Sequence, residues 1–328
     1  MQQAKTWREL LNYILSDSRE RQRLAEDLGI RLITLNRWIS GETKPRPQNM
    51  QHLLNALPQY RDQFLDLLRF ERGFEDLTSF EDESAKEIPS AFYLRVLNAR
   101  ASSVESLRFW SVGNLILQQA ISQLDPDRLG MSVVVVRCMP PQPGNTKVRS
   151  LRESIGVGTP PWPNDLEQQA LFLGAESLAG YAVSLCHPAA NQDVASDNTF
   201  VPTTPGEYEK SALAHPILYA GRVAGCLLVS SVEVNYFLSQ TRATLVQHYA
   251  DLLALAFEPQ DFYSPQNIEL HVMPPHPIQR KHFANYRQRV ARTMIQAAQR
   301  HQPVNNNEAE QIVWRELEEE LLLLTTVS

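Results

Sequence analysis

Only three cysteines occur among 328 residues, and Cys138, Cys186 and Cys226 stand far apart. That spacing indicates neither a disulfide framework nor a paired-cysteine metal site. No apolar run approaches the roughly 20 residues that span a bilayer. The opening MQQAKTWREL lacks the apolar core of a signal peptide, so a cytoplasmic protein with no membrane partner is expected. GVGTPPW (156–162) has glycines but no following Lys-Ser/Thr, and reads as a proline-rich turn rather than a phosphate-binding loop. No nucleophile with a base and no paired carboxylates stand out, so no catalytic residue or cofactor is assigned and an enzyme is the least favoured class. His271, His276 and His282 are separated by prolines and lack a fourth ligand, which points to a surface loop rather than a metal site.

What is present is an ordinary globular composition, 43% hydrophobic and 21% charged, in a chain long enough for two or three domains. The net charge of −6 does not suit a nucleic-acid binder. Charge is unevenly placed, however: through residue 50, nine basic side chains stand against six acidic ones. A local excess this modest gains phosphate contacts if the chain works as a dimer.

The densest pattern is LAEDLGIRLITLNRWISGETKPRP (24–47). Leu24, Ala25 and Leu28 share one helical face, Gly29 breaks the pattern, and Ile30, Leu35 and Trp38 line the inner side of the next segment. The spacing predicts helix, tight turn and second helix, stopping at Ser40-Gly41 before a stiff basic loop, Thr43 to Pro47. Upstream, TWRELLNYIL predicts a helix with Thr6 as N-cap and Trp7, Leu10, Leu11 and Ile14 inward. Downstream, Met50, Leu53, Leu54 and Leu57 predict a fourth helix, and Phe64, Leu65, Leu67 and Leu68 a fifth.

Through Leu24-Ala25, Leu28-Gly29, Thr34-Leu35, Arg37-Trp38, Gly41 and Lys44-Pro45, residues 21–57 resemble the phage-repressor (Xre/Cro) helix-turn-helix family. The resemblance implies an all-α five-helix domain over 1–78, with the helix from Arg31 to Ser40 in the major groove of double-stranded DNA. It places Arg31, Leu32, Ile33 and Arg37 at base edges and Arg21, Lys44 and Arg46 at phosphates. Leu32 and Ile33 stand where polar readers are usual; they suit thymine methyls, or else belong to the core, while Arg37 suits guanine. Thr34 and Asn36 serve either reading.

After an acidic linker (79–100, with FEDESAKEIPS at 80–90) the pattern changes. A helix through Val104, Leu107, Trp110, Leu115 and Leu117 precedes MSVVVVRCM, a buried strand. A helical segment around LEQQALFLGAESLAG, a strand YAVSLC and an irregular stretch from His187 to Tyr208 come next. Two strands joined at Ala220-Gly221 and a long helix, TRATLVQHYADLLALAF, complete the order. Residues 101–258 thereby resemble a GAF domain, through Ser211, His215-Pro216-Ile217, Gly221-Arg222-Val223-Ala224-Gly225 and the helix after Phe237. That resemblance implies an α+β domain with an antiparallel sheet, acting as sensor or dimerisation core, with an unknown small-molecule effector between the sheet and 187–208. Bilin-binding GAF domains attach chromophore through a Cys-His pair on a helix; Cys186-His187, at the end of a strand and before Pro188, does not fit. Cys226 reads as core, and a redox role for Cys138 or Cys186 stays open.

The C-terminal helical region, 259–328, sets a basic helical stretch (Arg280, Lys281, Arg287, Arg289, Arg292, Arg300) before an acidic one with Trp314, Leu317, Leu321 and Leu324 on one stripe. The two are expected to pair, within one chain or between two, unless the basic helix adds a DNA contact. Together these readings describe a multidomain α and α+β homodimeric transcriptional regulator, or a partner-binding scaffold whose GAF-like part is empty.

Overall fold

The computed structural model describes residues 6–326 apart from 17, 29, 46, 58–59, 69–86, 165, 167–170 and 196–205. The chain divides into two compact units, Met1–Glu87 and Ile88–Ser328.

Five helices are described in the first unit: α1 (Trp7–Ile14), α2 (Ser18–Asp27), α3 (Leu32–Ser40), α4 (Pro47–Ala56) and α5 (Arg61–Leu68). The Thr6 hydroxyl caps α1 by accepting from the Glu9 amide at 3.2 Å, as the sequence predicts. α3 ends at Gly41, whose φ of +80° places it in the left-handed region that a side chain would strain. Apolar residues at helical spacing, among them Trp7, Leu11, Leu24, Leu35, Trp38 and Phe64, meet in one core. Gly29, the expected turn residue, lies outside the described residues.

In the second unit, six strands form one antiparallel sheet: β1 (Met131–Cys138), β2 (Leu151–Gly158), β3 (Phe172–Leu173), β4 (Ala189–Asn191), β5 (Ser211–Tyr219) and β6 (Arg222–Ser231), in the order β3-β2-β1-β6-β5-β4. Alternation along β1 sends Val133 and Val135 to one face and Val134 and Val136 to the other. Helices α6 (Ser90–Ser102), α7 (Glu105–Leu124) and α9 (Gln240–Leu253) cover the first face. The short helix α8 (Leu178–Leu185) covers the second. Both faces are sealed, so β1 is buried along almost its whole length. At Gly225, with φ +147°, a β-carbon would sit 1.9 Å from the Val136 carbonyl oxygen, so only glycine lets β6 lie this close to β1.

Several expectations need correction. YAVSLC is helical: Ser177 caps α8, and Leu178, Ala179, Ala182 and Val183 bury one helical face, although the same letters also alternate as a strand would. Within LEQQALFLGAESLAG, Phe172–Leu173 is a strand paired with Leu151 and Arg152, and the helix starts only at Leu178. The stretch from His187 contains an edge strand, β4. Residues 90–100, expected as the end of a linker, belong to α6, which contributes Phe92 and Val96 to the core. In α7 the inward stripe is Val112, Ile116, Leu117, Ala120 and Ile121, while Val104, Leu107 and Trp110 are exposed.

Three helices end the second unit: α10 (His276–Phe283), α11 (Tyr286–Gln299) and α12 (Asn306–Thr326). The basic and acidic helices do pair within the chain. Arg289 forks onto Glu320 at 2.7 and 3.0 Å, and Trp314 stacks on Tyr286 at 4.4 Å. Buried Glu318 accepts from the Ser150 hydroxyl at 2.6 Å, tying α12 to the sheet. Gln279 acts as a substitute strand, exchanging hydrogen bonds with the Phe172 backbone at 2.9 and 2.8 Å. Leu324, expected on the inward stripe, is 41% exposed; Leu317, Leu321 and Leu322 are buried.

Candidate functional site

The α3 helix divides by periodicity into two sides. Leu35 and Trp38 are sealed in the core, and Thr34 is half-buried. Arg31, Leu32, Ile33, Asn36 and Arg37 are exposed, with Leu32 and Ile33 at 39% and 58%. The alternative that these two belong to the core is therefore not what the fold does with them. Arg37 reaches Glu42 at 3.6 Å, and its carbonyl accepts from the Thr43 amide at 3.2 Å, holding the loop after Gly41 against the helix end. Lys44 is exposed on that loop. Arg46 lies outside the described residues. Arg21 plays a structural part, since its Nε and Nη2 donate to the Leu15 carbonyl at 3.1 and 2.7 Å and close the end of α1.

The second region is the sheet face under α8. Small residues, Ser132, Ala212, Ala214, Gly156 and Gly158, line the end of this face where β1 begins, and Trp162, against Gly158, meets Tyr208 edge-to-face at 5.9 Å there. Two carboxylates missed by sequence reasoning come together here. Burial, reinforced by the Glu209 charge, pushes Glu153 up to about 8. Burial also raises Glu209 to about 7, against the opposing pull of the Ser230 hydroxyl, which donates to it at 2.6 Å. The available signal was a glutamate inside an otherwise apolar strand, LRESIGVG. On the neighbouring edge, Asn191 Nδ2 and Gln192 Oε1 are buried without a hydrogen-bond partner among the described residues. The 187–208 stretch expected to cover a ligand is described only in part.

Burial raises all three thiols: Cys138 and Cys226 strongly, and Cys186 to a lesser degree. Cys186 closes α8 rather than a strand, with φ +50° and its thiol donating to the Val183 carbonyl at 3.5 Å. His276 and His282 are helical rather than in a surface loop, and His282 Nδ1 lies 3.3 Å from Glu320. Among the described residues no group of His, Cys, Asp and Glu is arranged to hold a metal ion. Nor is any described helix long and apolar enough to cross a membrane.

No family model matches the chain, and no curated protein does. Solved structures resemble it over about half its length. The GAF domain of a phosphoenolpyruvate-protein phosphotransferase from Acinetobacter shares 14% identity, covering 51% of this chain and 90% of that one, with a TM-score of 0.35. A type II free methionine-R-sulfoxide reductase from Thermoplasma acidophilum shares 16%, covering 49% and 99%, also at 0.35. The free methionine-R-sulfoxide reductase of Neisseria meningitidis, solved with its substrate, shares 13%, covering 48% and 92%, at 0.29.

Proposed function

We propose that the protein is a DNA-binding transcriptional regulator, acting as a homodimer, whose first unit reads double-stranded DNA through α3 and whose second unit is a GAF-like sensor. The observation that carries this reading is α3 itself. One side is locked into the core by Leu35 and Trp38, while Arg31, Leu32, Ile33, Asn36 and Arg37 form a continuous exposed row beside Lys44. Two exposed aliphatic side chains flanked by arginines suit thymine methyls and guanine edges better than plain solvent. Arg21, occupied with Leu15, is assigned to positioning α1 against α2. In the second unit, support for a sensor comes from the small-residue sheet face, its buried carboxylates and the polar atoms of Asn191 and Gln192 that find no partner among the described residues. Raised thiols are poor nucleophiles, which supports a binding rather than a catalytic role.

In this mechanism two recognition helices meet successive major-groove turns about 34 to 36 Å apart, and an effector alters that arrangement by favouring one state of the sensor. The test is selection from randomised duplex DNA by wild type and Arg37→Ala. A palindromic motif that the substitution relaxes is expected. Failure of both proteins to enrich any sequence would remove the base-reading role of α3. Lys44→Ala should weaken binding across sequences and lower the salt slope by about 1.

A second reading has its own observation. Leu94, Leu97, Val104 and Leu107, 52–64% exposed on α6 and the start of α7, form an apolar surface suited to another protein chain. On that reading the GAF-like part is an empty dimerisation scaffold. Native mass spectrometry of protein from its host separates the two: a co-purifying small molecule supports the sensor.

A further inference from the structure

A cavity of about 620 Å³ lies within the second unit, away from the sheet face under α8. It is bounded by the ends of β1 and β2, the first turns of α7 and the N-terminal half of α12. Its volume suits a small organic molecule. Arg137 and Arg152 stand on its floor, and they are register partners on adjacent antiparallel strands. Like charges directly opposite one another destabilise a strand pair, so this placement needs an explanation.

Arg137 is partly compensated. It meets Asp261 at 3.3 Å and lies over the Phe109 ring at 4.2 Å. Arg152 is not. It lies over Trp314 at 4.3 Å and donates from Nη1 to the Glu153 carbonyl at 3.2 Å, but its Nε is buried without a partner. Among the described residues no carboxylate forms an ion pair with it. Burial and the neighbouring Arg137 charge lower its pKa to about 10, against the opposing pull of Tyr286 and Glu310, which still leaves a guanidinium at neutral pH.

Most acidic groups of the wall are engaged elsewhere; Glu310 acts on Arg152 through space without forming an ion pair with it among the described residues. Glu258 is held by Arg100 and Arg108, and Asp261 accepts from the Glu258 amide at 2.9 Å as well as from Arg137. Glu308 accepts from the Asn305 amide at 2.9 Å, Glu310 from Asn306 at 2.7 Å, and Glu105 from Gln260 at 3.4 Å. Their charge near the mouth disfavours a polyanion. The floor nevertheless offers an unmet guanidinium donor beside a second guanidinium, with Phe109, Trp110 and Trp314 as flat apolar walls.

We propose that this cavity binds a small monocarboxylate with a flat apolar body, its carboxylate accepting from Arg152 and Arg137 and its body packing against Phe109, Trp110 and Trp314. A forked guanidinium is built for such an acceptor, and the incoming charge relieves the repulsion between the two arginines. The site goes beyond the function proposed above and stands whether or not the first unit reads DNA.

The test is calorimetric titration of the full-length protein with benzoate, phenylacetate and indole-3-carboxylate, beside benzamide as neutral isostere and pyrophosphate as polyanion. At least one carboxylate should bind at a single site with a Kd of about 1 mM or below, and benzamide at least ~10-fold more weakly. Arg152→Met should weaken the carboxylate by at least ~10-fold, whereas Lys147→Met, which removes a partly exposed cation outside the cavity, should leave it unchanged. Should Arg152→Met fail to fold, Arg152→Lys keeps a charge but loses the fork and should weaken binding as well. The proposal is overturned if no carboxylate binds below about 10 mM. It is equally overturned if binding survives loss of the Arg152 fork, or if benzamide or pyrophosphate binds as tightly.

Discussion

Arg152 and Glu153 are consecutive residues of opposite charge, yet they do not serve each other. Strand alternation sends Arg152 toward Trp314 and the cavity, and Glu153 through to the face that packs under α8. On each side the residue meets a like charge, Arg137 in one case and Glu209 in the other. The two clusters then diverge for a chemical reason. Carboxylates can shed their repulsion by keeping protons, and both glutamates shift upward toward neutrality; a guanidinium cannot discharge near neutral pH. The acidic pair is relieved by its own protons, whereas the basic pair keeps both charges, with Asp261 in contact with Arg137 and no carboxylate in contact with Arg152 among the described residues.

The largest effect should be the pH dependence of the acidic pair. A carboxylate whose folded pKa is raised keeps its proton in the folded state after the unfolded chain has lost one. Its contribution to stability is therefore fully present below the unfolded pKa and is lost as pH rises through the folded value. With Glu153 at about 8 and Glu209 at about 7, the second unit should lose stability between pH 5 and 8. Tm should fall progressively across that window. Glu153→Gln should flatten that slope in thermal melts; an unchanged slope would mean that burial does not hold a proton on Glu153 as described.

Next comes the basic pair. Arg152→Met removes a buried charge that no carboxylate contacts among the described residues, and the ligand-free protein should gain about 1 kcal/mol in urea unfolding. Arg137→Met leaves Asp261 without its cation and should cost about 1 kcal/mol. Opposite signs from two neighbouring arginines would sharpen the contrast between the paired and the unpaired one. Ser230→Ala deletes the hydrogen bond that lowers the Glu209 pKa. It should cost somewhat under 1 kcal/mol at pH 8 and less at pH 5, read by melts at the two pH values. The smallest effect belongs to Arg289→Ala, which breaks the more solvent-screened fork on Glu320 and should cost roughly 0.5 kcal/mol, falling with salt.

How far such features were legible differs between the units. Contacts that build the helices of the first unit are short in sequence, so Thr6, Leu35, Trp38 and Gly41 announce caps, core and stop directly through spacing. The exposure of Leu32 and Ile33 follows from the same period, with Leu35 and Trp38 on the other side. Less could be read where one local pattern suits two structures. LAGYAVSL alternates well enough for a strand, but its small residues let a helix lie on the sheet, and helix is what forms. In α7 apolar side chains lie on more than one face, so spacing could not say that Val112 and Ile116 would be buried and Val104 and Leu107 exposed.

The sequence by itself determined the described helices of the first unit, the buried β1, the β5–β6 hairpin and the charge complementarity of α11 and α12, because each depends on periodicity or turn chemistry within a few residues. Only the tertiary structure decided that Arg137 stands opposite Arg152, that Glu153 meets Glu209, and that Arg21 serves the end of α1. These are consequences of strand register and of how elements distant in sequence pack, and register is set by the whole sheet rather than by the residues it brings together.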